Sequence, residues 1–314
     1  MDVYRSLDTY LPGPHPVATI GTFDGLHIGH KTILERIKQA ASERDGESVL
    51  ISFHPHPRLV LFPENNPLRL LHTLDEKIEA LAELGIDKLL LIPFTKEFSR
   101  LPSQRFIKDV LVDHVKIERI IIGYDHRFGK NRTGGLQELQ THAEQFRYTV
   151  EEIPAQSIDE AKVSSTKIRK ALQGGKVQDA QKYLGYPYSF AGTVIHGEKA
   201  GRKLGYHTAN LTPEDPLKII PGRGIYFVKA KVKEKLYYGM MSIGVKPTMG
   251  DFTQTQEVYL FDFDEDIYGE TVRVYFLEYL RGEKKFSSLE ALIQAMDGDR
   301  DYCLAQIQRL GPLS

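Results

Sequence analysis

The chain has 314 residues, enough for one large domain or two of ordinary size. Hydrophobic residues make up 41% and charged residues 26%, and the formal net charge of −1 argues against a broad electrostatic grip on nucleic acid, so any phosphate site must be local. The single cysteine, Cys303, excludes an internal disulfide and a thiolate-rich zinc site.

The opening stretch MDVYRSLDTYLPGPHP lacks a basic segment followed by an apolar run, so no signal peptide is visible. Nowhere do about 18 apolar residues follow one another, and a cytoplasmic protein without a membrane partner is expected. The first strand is read at VATIGTF (17–23), running through GTFDGLHIGH into the helical pattern HKTILERIKQAASE. SVLISF (48–53) is the second strand and ends in HPHP. A helical pattern, LDEKIEALAELG, leads to KLLLIPF (88–94). SQRFIKDVLVDHV is a further helix with Ser103 as its cap, followed by RIIIGYD (119–125) and YTVEEIP (148–154). Runs apolar on both faces, separated by helices, predict a parallel sheet covered on both sides. In such folds ligands bind beyond the carboxyl ends of the strands, where His27, His30, HPHP and GYDHRFG all stand.

VSSTKIRKAL (163–172) opens another helix, and the texture changes at the Gly174–Gly175 break. YSFAGTVIHG, GIYFVKAKV, KLYYGMMSIG, QEVYLFDF and ETVRVYFLEYL are rich in Val, Tyr, Phe and Ile and predict a small antiparallel barrel. The tail SSLEALIQAMDGDRDYCLAQIQRL is an amphipathic helix capped by Ser288, expected to pack on the barrel through Leu289, Leu292, Ile293 and Met296. The fold class is therefore α/β plus all-β. The domains are expected at 1–184 and 185–314, with the break inside 174–188.

His27 and His30 raise three readings. A metal would need a third and a fourth ligand; His54 and His56 in SFHPHP are available, but no carboxylate stands at a suggestive spacing. A nucleophile–base pair lacks a matching serine motif. Phosphate fits best: Gly25 and Gly29 let the backbone turn and approach a ligand, and a helix start offers free N–H groups and a positive dipole end. The plain alternative is that His30 packs or caps the first turn. Ser164, Ser165 and Thr166 before Lys167 and Arg169 read either as a triphosphate clamp or as a Ser/Thr cap with solvated basic residues.

In the second half HGEKAGRKLGYHTANL (196–211) contains no Walker-type loop. Thr208 and Asn210 are either oxygen ligands for magnesium or parts of an ordinary hairpin. Glu257 lies in a strand among apolar residues, where a carboxylate needs a reason, and it could take a proton from an alcohol. DFDEDIYGE (262–270) reads as a solvated loop rather than a calcium site.

GTFDGLHIGH is similar to the His-x-Gly-His motif of nucleotidyltransferases. Together with HPHPRLVL, IIGYDHRFGKNRTGG and VSSTKIR, in this order, it resembles the adenylyltransferase module of the bacterial bifunctional riboflavin kinase/FAD synthetases. GRKLGYHTAN, GMMSIGVKPTMG, FDFDEDIYGE and LRGEKKFSSLEAL resemble that family's kinase module. The resemblance implies a Rossmann-like nucleotidyltransferase domain and a kinase barrel with a terminal helix. Riboflavin and ATP would give FMN, and FMN and ATP would give FAD and pyrophosphate, with Mg2+ accompanying ATP. It implies that His27 and His30 stabilise charge on the phosphates, and that Gly21, Phe23, Asp24, Gly29, Ser165, Thr166, Arg169 and Gly201 meet ATP. His56, Pro57, Asp125, Phe128 and Asn131 would lie at or beside the flavin or adenosine. Thr208 and Asn210 would hold Mg2+, and Glu257 would be the base on the ribityl 5′-hydroxyl. The chain departs from the family pattern at His54, His126, Ala200, His207 and Ser242. Those in the second half leave a further reading, an FAD synthetase whose barrel binds flavin as a sensing or docking module.

Overall fold

Continuous apolar strands need cover on both faces, and the chain supplies it. The computed structural model describes residues 1–64, 68–154, 163–197, 206–248 and 251–311, with backbone alone at 246–248 and 251–253. Two compact units result, Met1–Ser165 and Thr166–Ser314.

The first unit is built on β1 (Asp2–Tyr4), β2 (Val17–Ile20), β3 (Ser48–His54), β4 (Lys88–Pro93), β5 (Arg119–Gly123) and β6 (Thr149–Ile153). They form one parallel sheet in the order β1-β4-β3-β2-β5-β6. The helices are α1 (Ile28–Ser42), α2 (Pro57–Leu61), α3 (Leu74–Glu83), α4 (Ser103–Arg105), which continues as a π-helix over Phe106–Val115, and α5 (Leu136–Phe146). Alternate residues of each strand enter opposite cores. Ala18, Val49, Leu90 and Ile120 join Ile107 and Leu111 on one face, while Val17, Leu50, Leu89 and Ile121 join Leu34 and Ile37 of α1 on the other. The edge strand β1, three residues long, was too short for its pattern to register in the sequence.

Two local expectations change. Ser103 does not cap its helix: Pro102 holds that position without a side-chain bond, and the Ser103 hydroxyl donates to Glu138 Oε1 at 2.9 Å. The first helix begins at Ile28, and His27 is its cap. From β2 the chain steps outward through β3 to β4, then crosses to β5 on the other side of β2. Sheets of this kind bind ligands at such a reversal, beyond the carboxyl ends of the two strands that flank it, here β2 and β5.

The second unit contains α6 (Ser165–Gln173) from Thr166 onward, α7 (Val177–Leu184) and a closed barrel. The barrel strands are β7 (Ser189–Ile195), β8 (Thr208–Pro213), β9 (Gly224–Val232), β10 (Lys235–Thr248), β11 (Asp251–Leu260) and β12 (Thr271–Arg281). Their order is β10-β11-β8-β7-β12-β9, and the paired strands are antiparallel. The barrel closes through β8, whose sequence TANLTP carries little of the β-branched and aromatic signal that marks the other five. α6 and α7 lie against this barrel: Gly222 N–H donates to Leu172 O at 2.8 Å and Tyr279 N–H to Gln178 Oε1 at 3.3 Å.

The terminal helix α8 (Leu289–Leu310) begins at its expected cap, with Ala291 N–H donating to Ser288 Oγ at 3.2 Å. Its inward stripe lies further along than expected. Met296, Cys303 and Ile307 pack with Tyr206, Phe227 and Met240, whereas Leu289 is 55% exposed and Leu292 and Ile293 are half-buried. The spacing 296, 303, 307 is one face of a helix, so the first turn has passed the edge of the barrel's apolar surface.

Candidate active sites

In the first unit the site grows from the turn joining β2 to α1. Phe23 (φ 46°), Gly25 (φ 91°) and Leu26 (φ 34°) all have left-handed backbone, a costly arrangement for the two that are not glycine. Neighbours hold it. Phe23, 3% exposed, packs its ring on His30 at 4.7 Å. The Asp24 carboxylate accepts from Leu71 N–H at 3.0 Å and His72 N–H at 3.0 Å, and Asp24 O accepts from Ser165 Oγ at 2.9 Å. A Cβ on Gly25 would meet Leu71 Cδ1 at 2.6 Å, so no other residue fits there without movement. Gly21 is similarly closed by the Phe23 ring at 2.7 Å.

The turn delivers His27 to the N-cap of α1, where its Nδ1 accepts from His30 N–H at 3.3 Å. That bond puts the imidazole proton on Nε2, leaving a donor for a ligand. The His27 and His30 rings stack, with centroids 3.6 Å apart and planes 14° off parallel. Burial outweighs the attraction of Asp24 and takes His27 down to about 4. Burial, then the like charges of His27, Lys77 and His72, push His30 well below the usual histidine value. Both imidazoles are therefore neutral near pH 7 and act as hydrogen-bonding groups. His30 Nδ1 is buried and makes no hydrogen bond among the described residues. Gly29 is buried in the first turn of α1.

His56 caps α2, its Nδ1 accepting from Arg58 N–H at 3.1 Å, and Pro57 is the first helical residue. After β5, Asp125 is exposed, and Asn131 is exposed with φ 56°. Phe128 is buried, bridged to Gly134. His126, where the resembled family has phenylalanine, stacks on Phe128 at 5.9 Å, and burial followed by Arg132 and Arg127 takes it down to about 4. Phe128 ends a row of rings: Phe53 to Phe98 at 5.9 Å, Phe98 to Phe106 at 6.2 Å, Phe106 to Phe128 at 5.5 Å. Sequence reading missed this row, because its members come from four separate segments.

Contacts thus join Phe23, Asp24, His27, His30 and Ser165. Thr166 and Arg169 follow Ser165 along α6, in the second unit, and Gly201 lies outside the described residues, as does Ala200. Lys77 was also missed. Its signal was present: with Leu74, Ile78 and Leu81 it occupies the apolar stripe of α3.

In the second unit β8 pairs with β11 so that Asn210 faces Glu257 and Thr208 faces Tyr259. Thr208 Oγ1 donates to Glu257 Oε2 at 3.4 Å. On the other side of Glu257, Ser242 of β10 is its direct cross-strand partner. The sheet therefore places Ser242, Glu257 and Asn210 in one row, residues scattered over 48 positions of sequence. Gly197 permits this packing, since a Cβ there would sit 2.1 Å from Asn210 Nδ2. Hydroxyl, amide and carboxylate oxygens form a donor set of the hard kind that suits Mg2+. Beside this row a cavity of about 250 Å3 is lined by Thr208, Ala209, Val258, Phe263, Ile267 and Tyr268. The acidic loop borders the same cavity with Asp264, Glu265 and Asp266, and Asp264 Oδ1 lies 3.8 Å from His207 Nδ1.

Residues 13–167 match the FAD synthetase family model, and residues 184–307 match that of riboflavin kinase. The chain is 36% identical to a bifunctional riboflavin kinase/FMN adenylyltransferase of Listeria monocytogenes, over 94% of this chain and 93% of that one. To the protein of the same name from Haemophilus influenzae it is 36% identical, over 90% and 91%. A crystal structure described as a macrolide-efflux protein from Streptococcus pneumoniae superposes with a TM-score of 0.87 at 30% identity, covering 96% of this chain and 97% of that one. Among the described residues no helix is long and apolar enough to cross a membrane.

Proposed function

The chain belongs to the bifunctional riboflavin kinase/FMN adenylyltransferase family, and from that premise we propose how its residues divide the work. It is an enzyme that phosphorylates riboflavin to FMN with ATP and adenylylates FMN to FAD with release of pyrophosphate. The observation that carries this is the match of each half to one of the two activities. The reading with a non-catalytic barrel is not favoured, because the relatives named for both activities align over nearly the whole chain.

The functional division we propose is 1–184 for adenylyl transfer and 185–314 for the kinase. In the first, an FMN phosphate oxygen attacks the α-phosphorus of ATP and the bond to the β-phosphate breaks. Such transfers need alignment and charge stabilisation more than covalent help. His27 donates from Nε2 to phosphate oxygen, with His30 and the first N–H groups of α1 beside it. Gly21, Phe23, Asp24, Gly25 and Gly29 shape the turn. Ser165, Thr166 and Arg169 hold the β- and γ-phosphates. His56, Pro57, Asp125, Phe128 and Asn131 border the flavin or adenosine.

In the second, Glu257 takes the proton of the ribityl 5′-hydroxyl as that oxygen attacks the γ-phosphorus of ATP, and ADP leaves. Thr208 and Asn210 supply oxygens for Mg2+, which when bound neutralises phosphate charge. Gly201 contributes to ATP binding. His207 leaves Thr208, Asn210 and Glu257 together, which supports a working kinase. The reading places the enzyme where ATP is available, in the cytoplasm.

Incubating the protein with riboflavin, ATP and Mg2+ and separating the flavins tests it. FMN followed by FAD is the expected result; FAD formed from supplied FMN alone would reject the kinase assignment. Glu257→Gln should abolish FMN formation and leave FMN-to-FAD conversion unchanged. Loss of both activities would contradict two separate sites.

A further inference from the structure

Lys77 breaks two local rules at once. It stands on the apolar stripe of α3, and it puts a positive charge in that helix's first turn, where the dipole disfavours one. The chain invests in fixing that turn: Thr73 and Glu76 form a reciprocal capping box, with bonds of 2.9 and 3.2 Å. Lys77 is the next residue, and it is only 8% exposed. A buried ammonium is costly unless its charge serves something.

What it touches is the turn between β2 and α1. Lys77 Nζ donates to Thr22 O at 2.7 Å, and the hydroxyl of the buried Ser52 donates to the same carbonyl at 3.4 Å. Thr22 immediately precedes the left-handed Phe23, and the turn then runs through Asp24 to His27. Asp24, whose charge attracts the lysine, ties the turn to Leu71 and His72 just before α3. α3 therefore grips the turn at two points, one through its entry segment and one through Lys77. A core lysine with only a packing role would snorkel toward water; this one ends on a single backbone carbonyl.

We propose that Lys77 is a positioning residue of the adenylyl-transfer site: its ammonium fixes the Thr22 carbonyl, and through that the turn that sets His27 and His30 against the nucleotide's phosphates. This rests on assigning the two histidines to that site. In this role Lys77 acts through the groups it holds rather than on the substrate, and its charge adds to the field in which phosphate oxygens are bound.

The test is Lys77→Met, which keeps length and removes charge and donors, assayed at a temperature where circular dichroism shows it folded. The expected result is a kcat for FMN-to-FAD conversion lowered by at least about tenfold, since a small misplacement of aligned groups is enough for that. KM values for FMN and ATP should stay within about twofold, and riboflavin phosphorylation by the same molecules should be unchanged. Lys77→Arg, which keeps charge and donors, should recover part of the lost kcat. Unchanged kcat in Lys77→Met would overturn the proposal. So would equal loss of both activities, a rise in KM alone, or an arginine variant as slow as the methionine one. If the wild-type chain makes FAD but His27→Ala does not slow it, the site assignment itself falls, whatever Lys77 does.

Discussion

At the residue scale, the stacked pair His27 and His30 is set apart by its charge state. Their imidazole signals should not titrate between about pH 5.5 and 8 in a heteronuclear NMR experiment; a midpoint near 6.5 for either would contradict the burial argument. Stability follows with a definite sign. His27 is depressed in the folded state, so acidification protonates the unfolded chain first. Stability is unaffected above the usual histidine value and falls as pH drops from there toward 4, by roughly 3 kcal/mol at most for His27. Melting temperature across that range measures it. The spacing of the two histidines was legible in the sequence, and so was the strand-to-helix switch that carries them. The proton's place on Nε2 was not, because it depends on a bond to the backbone of α1.

At the scale of the element, the β2–α1 turn stores strain that its surroundings hold in place. Gly25→Ala would demand φ near 91° from a residue with a Cβ and drive it into Leu71. It should cost about 1–3 kcal/mol in thermal unfolding of the first unit and slow FAD formation, while FMN formation persists. A variant as stable and active as the wild type would show that the turn relaxes. Elements were legible where their periodicity was long and clean. β1 and β8 were not, one for its length and one for its composition. Ser103 and Leu289 were misjudged for a shared reason: each fits a local rule, and each was overruled by a tertiary neighbour or by its absence.

At the scale of the whole molecule, the two activities map to halves of the sequence, while the contacts divide it at Ser165. Ile168, Leu172, Val177 and Leu184 of α6 and α7 are buried, and the two helices are tied to the barrel by the bonds of Leu172 O and Gln178 Oε1. A fragment starting at Thr166 should therefore keep riboflavin phosphorylation and melt higher than one starting at Gly185. Equal melting temperatures would show that the two helices add nothing to the barrel.

By itself the sequence determined the two kinds of architecture. Strands apolar on both faces call for a covered sheet, and short β-branched and aromatic strands without intervening helices point to an antiparallel barrel or sandwich. It also determined the chemistry on offer, since histidines before a helix and a carboxylate within a strand are local facts. The tertiary structure decided which groups meet. Ser242, Glu257 and Asn210 become neighbours only through the register of three strands, and Lys77 reaches Thr22 across 55 residues only because α3 packs beside the turn. Register and packing are set by the burial of whole faces, a sum over many distant residues that no single motif contains.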